Sequence, residues 1–185
     1  GQSDEVKRTV KEKMTAASDR MQYEKAASYR DILAAIETLG ERQIISTLAH
    51  SGKFTEQNED YLGLARCGDV TAMVVLKKRT GRIIASEYYF LDGEEREETS
   101  GEDDKTVFEA FIPQYYDKVS DYHRRIFVPQ PLAMKEALES FVASQASQRI
   151  QILSPQRGET RKTVEMARQN AHLRADEQFR KTHGV

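Results

Sequence analysis

Acidic side chains that converge can hold two Mg²⁺ ions, one activating water and the other stabilising the leaving oxygen of a phosphodiester. Asp60, Asp69 and Glu109 are the acids placed to attempt this. Asp60 and Asp69 sit at the two edges of one strand-like run, where a solvated turn residue is the commoner role. Glu109 lies on a helix and could serve as a second ligand only beside a first. The other chemistries find less support. His50, His123, His172 and His183 show no metal-ligand spacing and read as surface or loop histidines. Cys67 is the single cysteine, which excludes an intramolecular disulfide or a thiolate cluster; with no histidine near it in sequence, it reads as a small strand residue. No phosphate-binding glycine loop occurs. The expectation is therefore no catalytic site, no metal site and no cofactor.

One cluster could bind rather than react. Residues 154–162, Ser-Pro-Gln-Arg-Gly-Glu-Thr-Arg-Lys, fall where a strand gives way to a helix, a place where backbone N–H groups and added cations can hold phosphate. From Gln145 to Val185 there are eight Lys and Arg against four Asp and Glu, a local excess of four. Arg157, Arg161 and Lys162 are the candidates for a nucleic-acid backbone contact, although an exposed helix with extra arginine is the commoner origin of such a bias.

The elements that must position these groups follow from periodicity. Tyr61 to Ala65, Thr71 to Lys77 and Arg82 to Leu91 read as strands separated by turns at Gly68 and Gly81, an antiparallel meander. Asp92 to Asp104 holds eight acids and one Arg, and by composition is a solvated, disordered connection. Val107, Phe108, Phe111, Ile112 and Tyr115 form a helical stripe in which Pro113 predicts a kink or early end. A short strand from Arg125 to Val128, a helix beginning at Pro131, a strand from Ile150 to Leu153 and a last helix from about Glu159 complete the chain. Later strands that need crossovers predict a mixed α/β sheet with helices packed on it, the element order of an RNase H-like fold. In that fold one catalytic carboxylate projects from the middle of the first strand, which here reads Tyr61-Leu62-Gly63-Leu64-Ala65 without an acid.

Ahead of the sheet, Val6, Val10, Met14 and Ala17, then Ala26, Tyr29, Leu33 and Ile36, recur at three- and four-residue steps, so two amphipathic helices meet at a joint near Ser18 to Gln22. Two short helices enclose too little volume for a core of their own, and their apolar faces call for a partner in this chain or another. The expected division is a hairpin over 1–42, a linker over 43–58 in which Gln43 to Ile45 reads as a short strand or docking segment, and the α/β domain over 59–185.

Met14, Ala17, Met21, Tyr23, Glu24, Ala26, Ala27, Arg30, Asp31 and Ile32 resemble the UVR motif, with Met21 standing for the usual Leu and Tyr23 for the usual Phe. The resemblance implies docking on a second UVR hairpin. It makes Met14, Met21, Tyr23, Glu24, Ala27, Arg30 and Asp31 candidate partner-binding residues. Residues 63–69 (Gly-Leu-Ala-Arg-Cys-Gly-Asp), 111–116 (Phe-Ile-Pro-Gln-Tyr-Tyr), Pro155 to Gly158 and Asn170-Ala171 further resemble the middle region of the UvrC family, a subunit of the bacterial excision endonuclease. The resemblance implies a central, non-catalytic part that binds UvrB and scaffolds flanking nuclease domains on damaged DNA. The rivals are a metal-dependent nuclease using Asp60, Asp69 and Glu109, and a UVR adaptor for a chaperone or kinase.

Composition is compatible with these readings. Across 185 residues, 38% hydrophobic and 31% charged, the formal net charge is -2, so neither a polyanion nor a membrane is called for by the global field. No apolar run approaches a membrane span and no signal peptide is evident, which makes the cytoplasm the expected compartment. The start inside a helical pattern and the end on Lys181 to Val185 without a closing element make a fragment of something longer the expected origin.

Overall fold

The computed structural model describes residues 2–39, 44–46, 58–79, 81–91, 101–116, 125–146 and 150–184. Two helices, α1 (Gln2–Asp19) and α2 (Tyr23–Leu39), form the expected hairpin. After β1 (Ile44–Ser46) come β2 (Asn58–Cys67), β3 (Val70–Arg79) and β4 (Arg82–Leu91), then α3 (Gly101–Tyr115), β5 (Arg125–Phe127), α4 (Lys135–Ala146), β6 (Gln151–Leu153) and α5 (Gly158–His183). The sheet order is β1-β4-β3-β2-β5-β6; β2, β3 and β4 are antiparallel neighbours, β1 is antiparallel to β4, and β5 and β6 run parallel to β2. Meander followed by parallel crossover strands is the RNase H-like arrangement, with β1 added at the meander edge. The short strand or docking segment expected over Gln43 to Ile45 is observed as that added strand at Ile44–Ser46, one residue later; Gln43 lies outside the described residues.

The two sheet faces are covered differently because side chains alternate along each strand. Leu62, Leu64, Met73, Val75 and Tyr89 share one core with Val107, Phe108, Phe111 and Ile112 of α3 and Leu138, Phe141 and Val142 of α4. Tyr61, Val74, Leu76 and Phe127 pack on the opposite face against Val164, Ala167 and Ala171 of α5. That second contact is backbone-close. A Cβ at Gly63 would stand 2.2 Å from the Ala167 carbonyl carbon, so the strand can carry no side chain there. At the β2–β3 turn Gly68 adopts φ 60 and its missing Cβ makes room for the Phe179 ring, which anchors the far end of α5.

Two local expectations are corrected, and one is met close to its predicted place. The acidic stretch is not solvated to its end, since α3 begins at Gly101 and Asp104 in its first turn pairs with Arg66 of β2; residues 92–100 lie outside the described residues. The early end expected from Pro113 is met two residues later: α3 stops at Tyr115, and the Tyr116 N–H donates to the Ile112 carbonyl at 3.1 Å. The helix expected at Pro131 begins at Lys135, after a turn held by the Met134 N–H donating to Glu109 Oε2 at 3.0 Å.

Candidate partner-binding site

The hairpin's apolar stripe is divided between two environments. At its root, Val6, Val10, Ile32, Leu33 and Ile36 belong to the same core as α3 and the sheet, and α2 lies against both α3 and α4. At its tip the chain must reverse between α1 and α2. The Met21 N–H donates to the Ser18 carbonyl at 2.9 Å and the Gln22 N–H to the Ala17 carbonyl at 2.8 Å, the paired bonds of a Schellman C-cap. The residue at the left-handed position of this cap is usually glycine, and here it is Met21 with φ 58. A side chain in that conformation costs about 1–2 kcal/mol. Met21 is nonetheless 76% exposed and Tyr23, beginning α2, is 65% exposed, so neither gains by burial in this chain.

The other hairpin candidates flank this tip. Met14 and Ala27 are half-buried, while Glu24, Arg30 and Asp31 are exposed. Arg30 and Asp31 form a solvent-facing pair at 3.5 Å, and the Glu24 carbonyl accepts from Ser28 Oγ at 3.0 Å. Met21, Tyr23 and Glu24 therefore form the outermost surface, with Ala27, Arg30 and Asp31 along its side.

The acids considered for metal chemistry are engaged elsewhere. Asp60 is not a solvated edge residue: it is wholly buried, paired with Arg79 at 3.0 Å, and accepts from Tyr116 Oη at 2.6 Å. Burial raises its carboxyl pKa above the usual value, against the opposing pull of Arg79 and Tyr116. Beside it Lys77 Nζ lies 3.3 Å from Glu87, whose other oxygen accepts from Tyr115 Oη at 2.5 Å and Tyr89 Oη at 3.0 Å. Burial first, and the Asp60 charge second, hold both Tyr115 and Tyr116 well above the ordinary tyrosine pKa. Asp69 pairs with His183 at 3.0 Å, and that bond lowers its pKa; Glu109 is buried against the turn before α4. The three acids thus have separate partners, and among the described residues no three His, Cys, Asp or Glu side chains gather as a metal cluster. The Cys67 thiol is pushed up by desolvation and by Asp176, whose carboxylate is 3.7 Å from the sulfur. His172 is exposed on α5, whereas His50 and His123 lie outside the described residues.

Sequence reasoning missed the clamp of Lys77, Arg79 and Glu87 with Tyr115 and Tyr116. Part of its signal was present: Lys77 and Glu87 lie two residues from the core residues Val75 and Tyr89 of their strands, and Arg79 continues the face of Lys77.

The cationic candidates near the start of α5 are not equivalent. Arg157 is exposed at the N-cap position and Lys162 is exposed beside Glu159 at 3.5 Å, but Arg161 is committed to the fold, donating to the Pro129 carbonyl at 3.0 Å and pairing with Glu165 at 2.9 Å. Further along, a cleft of about 760 Å³ between β4 and α5 contains Arg174 and Arg180, each already paired, with Glu177 at 3.5 Å and Asp176 at 3.1 Å. No helix among the described residues is long and apolar enough to cross a membrane.

A two-helix arm seated on an RNase H-like sheet, with exposed apolar side chains at the arm's tip, defines a mixed α/β protein with a helical appendage. Residues 58–178 match the family model described as the UvrC Ribonuclease H-like domain, and residues 4–39 match the UvrB/uvrC motif. The chain belongs to the UvrC ribonuclease H-like domain family. It is 35% identical over 172 residues to the UvrABC system protein C of Desulfatibacillum aliphaticivorans, covering 93% of this chain and 26% of that protein. The UvrABC system protein C of Geobacter sp. strain M21 is 32% identical over 179 residues, covering 97% and 25% respectively. That of Geobacter metallireducens is 30% identical over 185 residues, covering 100% and 28%. The chain thus spans about a quarter of the length of these relatives. No solved structure matches it.

Proposed function

We propose that this chain is the central, non-catalytic part of a UvrC-type subunit of a DNA excision-repair nuclease, acting in the cytoplasm. Its hairpin docks on the UVR hairpin of UvrB, and the α/β domain holds the flanking nuclease modules over damaged DNA. The observation that carries this reading is Met21, kept in a left-handed conformation that disfavours it while its side chain stands 76% exposed beside Tyr23. Strain retained at an exposed apolar residue is accounted for when that residue serves a partner. The matches of residues 4–39 to the UvrB/uvrC motif and of the chain to UvrABC system C proteins support UvrB as the partner.

In this reading Met21 and Tyr23 enter the partner's apolar seam, Met14 and Ala27 line its border, and Glu24, Arg30 and Asp31 set the register through charge. Arg157 and Lys162 are the exposed groups that would touch a DNA backbone, while Arg161 ties the start of α5 to the Pro129 carbonyl. Calorimetric titration of the chain with the C-terminal hairpin of a UvrB protein tests the docking. Saturable binding that Tyr23→Ala weakens supports it; affinity unchanged by that substitution removes Tyr23 from the interface.

A further inference from the structure

We propose that Tyr115 and Tyr116 are positioning residues for partner capture: through Glu87 and Asp60 they fix α3 on the sheet, and so fix the direction in which the hairpin tip points. The inference rests on the tip being the docking surface, although neither tyrosine belongs to it. Met21 and Tyr23 are at one end of the hairpin, whereas the root residues Val6, Val10, Ile32, Leu33 and Ile36 share a core with Val107, Phe108, Phe111 and Ile112 of α3. Apolar contact is non-directional, so this seat alone tolerates small rotations of one helix on another.

The contact between α3 and the sheet is of another kind. Asp104 in the first turn pairs with Arg66, and at the last turn Tyr115 Oη and Tyr116 Oη donate to Glu87 and Asp60 at 2.5 and 2.6 Å. Each carboxylate also holds a buried cation, Lys77 at 3.3 Å and Arg79 at 3.0 Å, so the acceptors stay fixed on the strands. Phe111 stacks on Tyr115 at 5.2 Å and Tyr116 meets Tyr115 edge-on at 4.7 Å, which limits the tyrosine rotamers. Buried ionic groups contribute little net stability over an apolar core, and setting register is their best-attested use. A one-residue slip of α3 would turn its side chains by roughly 100° and break both tyrosine bonds together.

Geometry makes the register matter at a distance. From Ile36 to Tyr23 α2 rises roughly 20 Å, so a tilt of roughly 10° at the root would carry the tip through roughly 3–4 Å. That displacement is comparable to the depth of a side-chain contact, and a tip that wanders so far is correctly placed for only part of the time. Its apparent affinity falls in proportion.

The test uses the whole chain. Spin labels at Gln22→Cys and Gln169→Cys, in a Cys67→Ser background, report the distance between the hairpin tip and α5 by electron spin–spin coupling; the unlabelled chain is titrated with the UvrB hairpin. The wild-type distribution is expected to be narrow, and the Tyr115→Phe/Tyr116→Phe variant, which loses only two hydroxyls, is expected to broaden it while lowering affinity about fivefold. A purely structural role would lower the denaturation midpoint and leave both the distribution and the affinity of the folded protein unchanged, which would overturn the proposal. If the double variant does not fold, Tyr116→Phe alone carries the same readouts. Tyr23→Ala gives the converse pattern, lost affinity at unchanged distance. A wild-type chain that fails to bind removes the docking role and the proposal with it, while a broadened distance in the phenylalanine variant would still show the clamp acting on the arm.

Discussion

The root and the tip of the helical hairpin draw on one apolar stripe and treat it in opposite ways. At the root, Ile32 and Ile36 have no exposed surface; at the tip, Met21 and Tyr23 are mostly in water. The difference separates what the fold needs from what it offers. The root supplies core that two short helices could not make alone, and the tip leaves apolar surface that no other part of the described chain covers.

Substitutions should divide along the same line. Ile36→Ala at the root is expected to destabilise the protein by about 2–5 kcal/mol, read from its denaturant midpoint, because it leaves a cavity in the core shared by hairpin and domain. A cost near zero would mean that the hairpin is not seated as described. Tyr23→Ala at the tip should weaken UvrB-hairpin binding by about 2 kcal/mol while changing stability by less than about 0.5 kcal/mol, both checked by titration and unfolding of the same samples. Met21→Gly sharpens the contrast further. Relief of the left-handed strain should add about 1 kcal/mol of stability, and loss of the side chain should reduce binding.

Alkaline pH probes the clamp beneath the root. Tyr115 and Tyr116 have folded pKa values raised above 10.0, so the native state retains protons that the unfolded chain gives up. Their contribution is fully present below pH 10.0 and is lost as pH rises toward the folded values. The denaturation midpoint should therefore fall above that pH, and the ultraviolet signal of tyrosinate from these two side chains should appear with unfolding. The smallest effect is expected at the exposed Arg30–Asp31 pair, where Asp31→Asn should change stability by less than about 0.5 kcal/mol in thermal unfolding.

Much of this arrangement was legible in the sequence. The hairpin, the meander and the crossover strands follow from spacing and turn residues, and β4 has the predicted bounds because Arg82 to Leu91 is rich in Ile and Tyr and contains no Gly or Pro. The tip candidates were readable because the motif places them. What stayed hidden depended on three dimensions. Asp60 sits at a strand start, where a one-dimensional reading favours solvent; Arg79 reaches it only because β2 and β3 pair, and Tyr116 only because α3 crosses the same face. The left-handed backbone at Met21 gave no local sign, since methionine is not a residue that favours it. Arg161 looked equivalent to Arg157 and Lys162 until the fold brought Pro129 beside it.

The measurement that tests the division between root and tip most directly is a methyl NMR titration of the chain with the C-terminal hairpin of UvrB, observing Met21 and Met14 together with Ile32 and Ile36. Large shifts at Met21, smaller ones at half-buried Met14 and negligible ones at the two isoleucines are the predicted result. Shifts centred on Ile32 and Ile36 would show that the partner displaces the hairpin from its seat, and would contradict an arm held at its root and read at its tip.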